Sequence, residues 1–435
     1  MHPIMKVVAQ QKQGIPSGVY SCCSANEFVL KAVLRRAQQF NVPALIEATA
    51  NQVNQYGGYT GMNPQDFFDY VLSLANELDF PINDLIFGGD HLGPLPWTHL
   101  QNEEAMNNAC ELIRQFVAAG FTKIHIDTSM RLSEDNYSSG LSDELIASRG
   151  ARLCKIAEEA FEQRLKHHPD SIPPVYIIGS EVPTPGGAIE EEEDVHITKP
   201  EDCIRTYNSF KQAFQDSGLD DAWNRVVGIV VQPGVEFSNM EVLEYNRKAA
   251  SSLIEIGRAL PLVFEGHSTD YQTRKCLRQM VEDGIAILKV GPALTFELRE
   301  ALFALEMIEK EMLSNENVPK SEFRKTLDQV MLSNPNNWKS HYYGNEEDQR
   351  FARAFSLSDR ARYYFNTKEV RDSIETLSAN LESRNIPFSL LSQYMPCQFQ
   401  KIKNRIISLT VENIIIDRVG DCLDDYLYAC GISNR

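Results

Sequence analysis

No stretch of this 435-residue chain approaches the roughly 18 consecutive apolar residues of a membrane span, and Met1 to Gly14 lacks the apolar core of a signal peptide. A cytoplasmic protein is expected. Positive charge is also scarce: 42 Lys and Arg stand against 60 Asp and Glu, a formal charge of −18. Non-specific nucleic-acid and anionic-membrane binding both need a basic face and are excluded as partners. A phosphorylated small molecule is not excluded, because a few cations or backbone amides inside a pocket suffice. The nine cysteines are odd in number and scattered, with Cys22 and Cys23 adjacent, so no disulfide framework or Cys-x-x-Cys metal site emerges and a reducing compartment is implied. No Gly-x-Gly-x-x-Gly follows the first strand and no Gly-x-x-x-x-Gly-Lys-Ser/Thr loop occurs, so no nucleotide cofactor is expected.

What the chain does have is one local pattern repeated. Ile86-Phe-Gly-Gly-Asp-His-Leu-Gly-Pro94 is an apolar run that stops in two glycines, presents Asp90 and His91, and turns. This suits a buried parallel strand whose carboxyl end delivers side chains into a cleft. The same succession of apolar, polar and turn residues begins near Gly18, Ala44, Lys123, Val175, Val226, Leu262 and Ala286. Eight such strands, each followed by a helix-length amphipathic segment, predict a (β/α)8 TIM barrel, an α/β fold that needs roughly 250 residues or more. An open doubly wound sheet is the alternative. The barrel, with a short helix over His2 to Gln13, takes residues 1–313. A helical C-terminal extension, 314–435, packs on it, with helices expected near Glu322 to Leu332, Ser358 to Tyr364, Glu369 to Asn380 and Val411 to Leu427.

Chemistry collects at the strand ends, where active sites of this fold are built. Glu47, Asp90, Asp127, Glu181, Glu265 and Lys289 are the candidate catalytic residues, and His91, Glu181 and His267 the candidate ligands of one divalent metal, Zn, Mn or Mg. Carboxylates from several strands with two histidines are the ingredients for enolising or epimerising a sugar carbon beside a carbonyl. The bland reading of Glu47 and its like is a structural ion pair, since a buried carboxylate must be paired. His125 reads as a core or ion-pair residue, and Ser24 as a helix cap. Lys289 could form a Schiff base, but neighbouring carboxylates would keep it charged; an ion pair with Glu265 or Asp127 is expected instead. Asn51, Gln232, Ser268 and Gly291 are candidate substrate contacts. So are Arg360 and Arg362, whose planar forks suit phosphate, with helix-anchoring salt bridges as the alternative. The acidic run Glu190 to Asp194 reads as a solvated loop.

Longer motifs carry a resemblance. Asn51-Gln-Val-Asn-Gln-Tyr-Gly-Gly-Tyr-Thr-Gly-Met62, Gly88-Gly-Asp-His-Leu-Gly-Pro94, Glu181-Val-Pro-Thr-Pro-Gly-Gly187, Val230-Val-Gln-Pro-Gly-Val-Glu-Phe237, His267-Ser-Thr-Asp-Tyr-Gln-Thr273, Ile287-Leu-Lys-Val-Gly-Pro-Ala-Leu-Thr-Phe296, Ser356-Leu-Ser-Asp-Arg-Ala-Arg-Tyr-Tyr364 and Ser392-Gln-Tyr-Met-Pro396 closely resemble the non-catalytic subunit family of D-tagatose-1,6-bisphosphate aldolase. The resemblance covers essentially the whole chain. It implies an accessory barrel protein of galactitol or N-acetylgalactosamine catabolism, where D-tagatose 6-phosphate is degraded, partnered with a class II, zinc-dependent aldolase catalytic subunit that it keeps active and stable. An oligomer and a sugar-phosphate ligand are expected. Leu95 and Arg131-Leu132 depart from the family's usual pattern, so those loops would differ in ligand or partner preference. The full set of polar strand ends keeps a second reading open, a metal-dependent ketohexose-phosphate epimerase acting on D-tagatose 6-phosphate. The absence of a nucleotide-phosphate loop argues against a kinase.

Overall fold

A computed structural model describes residues 1–136, 140–181 and 196–432. Eight parallel strands close into a barrel: β1 Val19–Cys22, β2 Ala44–Thr49, β3 Leu85–Leu92, β4 Lys123–Ile126, β5 Val175–Ile178, β6 Val226–Val231, β7 Val263–Gly266 and β8 Ile285–Val290. Each predicted strand is present, and sequence neighbours pair in order, with β8 closing onto β1 through Val19 to Cys22 against Ile287 to Val290. The strands are buried over nearly their whole length because helices cover the outside and side chains fill the inside.

The helices after the eight strands are Glu27–Phe40, Pro64–Glu77, Asn102–Ala119, Asp143–Leu165, Pro200–Asp216, Ser251–Ala259, Arg274–Glu282 and Pro292–Met312. Their ends follow local chemistry. Asn63 and Asp66 form a reciprocal capping box, and Gly120, at φ 114°, stops the third helix. Ser24 is not the cap predicted for the first helix. Asn26 takes that role, accepting from Phe28 N at 3.0 Å, while Ser24 Oγ accepts from Asn26 N. The cap has moved two residues along, because the chain stays extended through Asn26.

The extension does more than pack on a finished barrel. Helix Val411–Ala429 lies against the helices Glu27–Phe40, Arg274–Glu282 and Pro292–Met312 and reaches β1, where the Tyr20 and Tyr426 rings sit 6.1 Å apart. It thus occupies the place in the outer ring between the helices that follow β7 and β1. A two-stranded hairpin, Glu236–Phe237 with Val242–Leu243, stands on the loop after β6. Helices Glu346–Phe355, Phe388–Tyr394 and Pro396–Lys403 were not read from the sequence. The loop Val182 to Gly187 and the acidic run Glu190 to Asp194 lie outside the described residues.

Candidate active site

The carboxyl ends of the strands surround a cavity of about 350 Å3, lined by Cys23, Asn51, Tyr59, Asp90, His91, Leu95, His267, Ser268, Asp270, Lys289 and Gly291 from the barrel. The extension adds His341, Arg360, Arg362 and Tyr363. The volume is in the range that takes a small polar ligand.

Below the floor lies a layer of buried charge. Lys123, fully buried, bridges Glu47 Oε1 and Glu265 Oε2, both at 2.6 Å. Lys289 pairs with the other oxygen of Glu47, lies 2.7 Å from Asp90 Oδ1, and is 4.0 Å from Glu265. Two ammonium groups thus hold three carboxylates, which is what burying any of them requires. Gly88 is needed here: a Cβ on it would lie 2.6 Å from Glu47 Cγ, so the missing side chain is the room Glu47 uses. Burial alone would lower the Lys289 pKa, but Asp90, Glu47 and Glu265 outweigh it and hold the group well above its usual range. An ammonium so held is no Schiff-base nucleophile. Its expected partner Asp127 is engaged elsewhere, with His91.

Above this layer three imidazoles meet. The ring centroids of His91, His125 and His267 lie 5.0, 4.9 and 5.2 Å apart pairwise. Strand alternation would put Asp90 and His91 on opposite faces. The register of β3 against β4 shifts between Gly89 and Leu92, and His91 adopts φ 48°. The bulge turns both side chains inward, the kind of local strain that collects at functional sites. Gly93 completes the turn, since a Cβ there would sit 1.7 Å from the Asp127 carbonyl oxygen.

Hydrogen bonds select the tautomers. His91 Nδ1 is 2.8 Å from Asp127 Oδ2, so Nδ1 carries the proton and Nε2 faces the cluster. His267 Nε2 is 3.0 Å from Glu265 Oε1, which leaves Nδ1. His125 Nδ1 is approached by both Asp90 Oδ1 at 2.9 Å and the His91 amide at 3.1 Å, and can satisfy only one; its buried Nε2 has no partner. Asp90, His91, His125 and His267 each offer a donor atom within 4.8 Å of one another. Carboxylates that orient imidazoles toward a common point, with one ring nitrogen orphaned, fit a divalent metal. Three imidazole nitrogens are a softer donor set than the all-oxygen set that Mg prefers.

Electrostatics follow this order. Burial opposes ionisation of Asp90 and Glu265, yet the lysines and histidines hold both well below the usual carboxylate range, and Asp127 at about 2 through His91. Burial pushes His267 down to about 4, and His91 is raised because Asp90 and Asp127 overcome its burial. Asp270 is the exception among the pocket carboxylates. Burial raises it to about 6 although Gly291 N and Ala293 N donate to its Oδ1 at 3.0 and 2.9 Å.

Of the residues singled out from the sequence, Asn51, Asp90, His91, His267, Ser268, Lys289, Gly291, Arg360 and Arg362 line the pocket. Glu47, Asp127 and Glu265 lie beneath it as partners. Glu181, proposed as both base and ligand, is not part of the converging donor set; its Oε2 accepts from Thr198 Oγ1 at 2.7 Å. The Gln232 amide oxygen serves its own turn, accepting from Gly234 N and Val235 N. His125, Lys123, Asp270, Tyr59, His341 and Tyr363 were missed. For His125 the i, i+2 spacing to Asp127 was the available signal.

Fold and site together define a (β/α)8 barrel protein with a polyhistidine-carboxylate site at the carboxyl ends of its strands. The chain belongs to the D-tagatose-1,6-bisphosphate aldolase subunit GatZ/KbaZ-like family, whose model matches residues 4–431. A crystal structure of a probable tagatose 6 phosphate kinase from Sinorhizobium meliloti 1021 is 41% identical, with a TM-score of 0.86 over 95% of this chain and 100% of that one. Native fructuronate-tagaturonate epimerase UxaE from Cohnella laeviribosi is 12% identical with a TM-score of 0.48, covering 95% of this chain and 81% of that chain. A putative fructose-1,6-biphosphate aldolase from Coccidioides immitis is 14% identical with a TM-score of 0.42, covering 86% and 97%.

Proposed function

We propose that this chain is a metal-dependent enzyme that epimerises a ketohexose phosphate, of the D-tagatose 6-phosphate 4-epimerase kind. The observation that carries the reading is the convergence of His91, His125, His267 and Asp90 on the pocket floor, with ring nitrogens freed by Asp127 and Glu265. A divalent ion held by these four would polarise a ketose oxygen as a Lewis acid. Lys289, locked between Glu47 and Asp90, presents a fixed positive charge to a substrate oxygen as negative charge develops there. Asp270 lines the same cavity with its proton affinity raised by burial to about 6, and is the group in this reading that takes and returns a proton through its carboxylate. Asn51 and Ser268 would contact sugar hydroxyls, and Arg360 and Arg362 the phosphate.

The kinase name of the 41% identical relative is not carried over, since this sequence has no phosphate loop for a nucleotide. The family's description as an aldolase subunit favours a second reading, an accessory subunit that stabilises a class II aldolase in galactitol and N-acetylgalactosamine breakdown. The two separate cleanly. Metal-stripped protein reloaded with Mn or Zn binds one equivalent by atomic emission in the first reading, and His125→Ala loses it with the fold intact by circular dichroism. A chain that takes up no metal, but raises cleavage and melting temperature of an added aldolase subunit, is the accessory protein.

A further inference from the structure

Arg360 is 94% buried at the edge of the pocket, its Nε has no hydrogen-bond partner, and no carboxylate lies within 4.0 Å of it or of Arg362 among the described residues. An arginine in that position is costly unless an anion arrives to pair with it. The nearby carboxylates are committed. Asp359 holds Arg299 Nε at 2.7 Å and Thr295 Oγ1 at 2.6 Å, and Asp270 caps the amides of Gly291 and Ala293.

The two guanidiniums meet instead on a phenol. Tyr363 Oη accepts from Arg362 Nη2 at 3.1 Å and from Arg360 Nη1 at 3.3 Å, and the ring stands edge-on to Tyr59 at 4.7 Å. With both lone pairs used, the phenol proton is left to donate. The same logic fixes His341. Its Nδ1 accepts from Arg360 Nη2 at 3.0 Å, so the ring proton is on Nε2. Burial and the two arginines hold this imidazole down at about 4, so it is neutral. Three donors without a protein acceptor therefore belong to residues that line the pocket: Tyr363 O–H, His341 Nε2–H and the buried Arg360 Nε–H. Asp359, in a left-handed conformation at φ 42°, ties this segment to the barrel through Arg299, so the donors are held by the barrel's own helix.

We infer that Tyr363 and His341, oriented by Arg360 and Arg362, form a phosphomonoester site contributed by the C-terminal extension, and that Tyr363 makes the pocket discriminate phosphorylated from unphosphorylated sugar. The inference rests on the sugar-phosphate part of the proposed function and not on its metal. Three oxygens of a dianion match three fixed donors backed by two full charges. An unphosphorylated sugar leaves the buried arginines unpaired, which is the stronger source of selectivity.

The test is calorimetric titration of the full chain with D-tagatose 6-phosphate, D-tagatose and inorganic phosphate, before and after Tyr363→Phe. Losing a hydrogen bond to a charged group should weaken D-tagatose 6-phosphate binding about tenfold or more and leave D-tagatose unchanged. His341→Ala should act in the same direction, and Arg360→Ala more severely. Tyr363→Phe keeps the ring on Tyr59, and its melting temperature checks that the fold survives. An equal effect on both sugars, or none on the phosphorylated one, overturns the inference. If the sugar phosphate fails to bind but inorganic phosphate binds and is lost in Tyr363→Phe, the anion site stands and the sugar reading falls. If wild-type protein binds phosphate in neither form, the site is refuted.

Discussion

Single residues decide whether the charge buried in this barrel stabilises or destroys it. In sequence Lys123 is only the first residue of a strand, yet it is the cation between Glu47 and Glu265, fully buried with both. Lys123→Met leaves two buried carboxylates short of a partner, and breaking a buried pair costs about 3–5 kcal/mol; urea unfolding should show a loss of that order. His2 works in the opposite sense. It caps helix Pro3–Lys12 through Nδ1, contacts Thr122 through Nε2, and is held at about 4 by burial, the terminal amine and Lys123. Between pH 6.5 and 4 the unfolded chain carries a proton on this imidazole that the folded chain refuses. Stability therefore falls as pH falls through that window, by roughly 3 kcal/mol from this residue when the shift is converted. His2→Asn, which can still cap, should flatten the slope of stability against pH there. His267 and His341, both near 4, keep the remainder.

At the scale of elements, the strand ends were legible and their twists were not. Eight apolar runs ending in polar residues and turns predict eight strands, and periodicity alone places Glu265 and His267 on one face. The bulge in β3 breaks the rule that makes such reading work. Asp90 and His91 are adjacent, so alternation would send one of them outward; only the register shift and the left-handed backbone at His91 bring both in. His125 reads in sequence as a core or ion-pair residue because it precedes Asp127 on the strand; it does pair with Asp90, and it joins the site because the bulge lowers His91 onto it. Its place after β5 makes Glu181 a candidate in sequence, but its carboxylate accepts from Thr198 Oγ1. The same bulge yields a prediction. Gly93→Ala puts a Cβ into the Asp127 carbonyl, a backbone atom that cannot rotate away. Overpacking of this kind costs about 1–3 kcal/mol or more, and here it should also pull Asp127 from His91, so metal affinity should fall together with the melting temperature.

At the scale of the whole molecule, the extension is bound to the barrel both at the rim and in the outer ring. Asp359 reaches Arg299, and helix Val411–Ala429 stands between the helices that follow β7 and β1. The change of sequence pattern near Asn315 was readable, but how the last helix returns to the ring was not, because its amphipathic face looks the same whichever neighbour it meets. A chain ending at residue 313 would uncover the faces of helices Glu27–Phe40, Arg274–Glu282 and Pro292–Met312 that helix Val411–Ala429 lies against. It should be recovered as aggregate, and a soluble, monodisperse 1–313 fragment by light scattering would refute this packing account.

The site itself stands or falls on chemistry performed by the chain alone. The most direct measurement is to incubate the purified protein with carbon-13-labelled D-tagatose 6-phosphate and Mn or Zn, and to follow the sugar by NMR. The account predicts a second ketohexose phosphate, absent after chelation and absent in His125→Ala and Asp270→Asn. An unchanged spectrum from metal-loaded wild-type protein that demonstrably binds the sugar phosphate would contradict it.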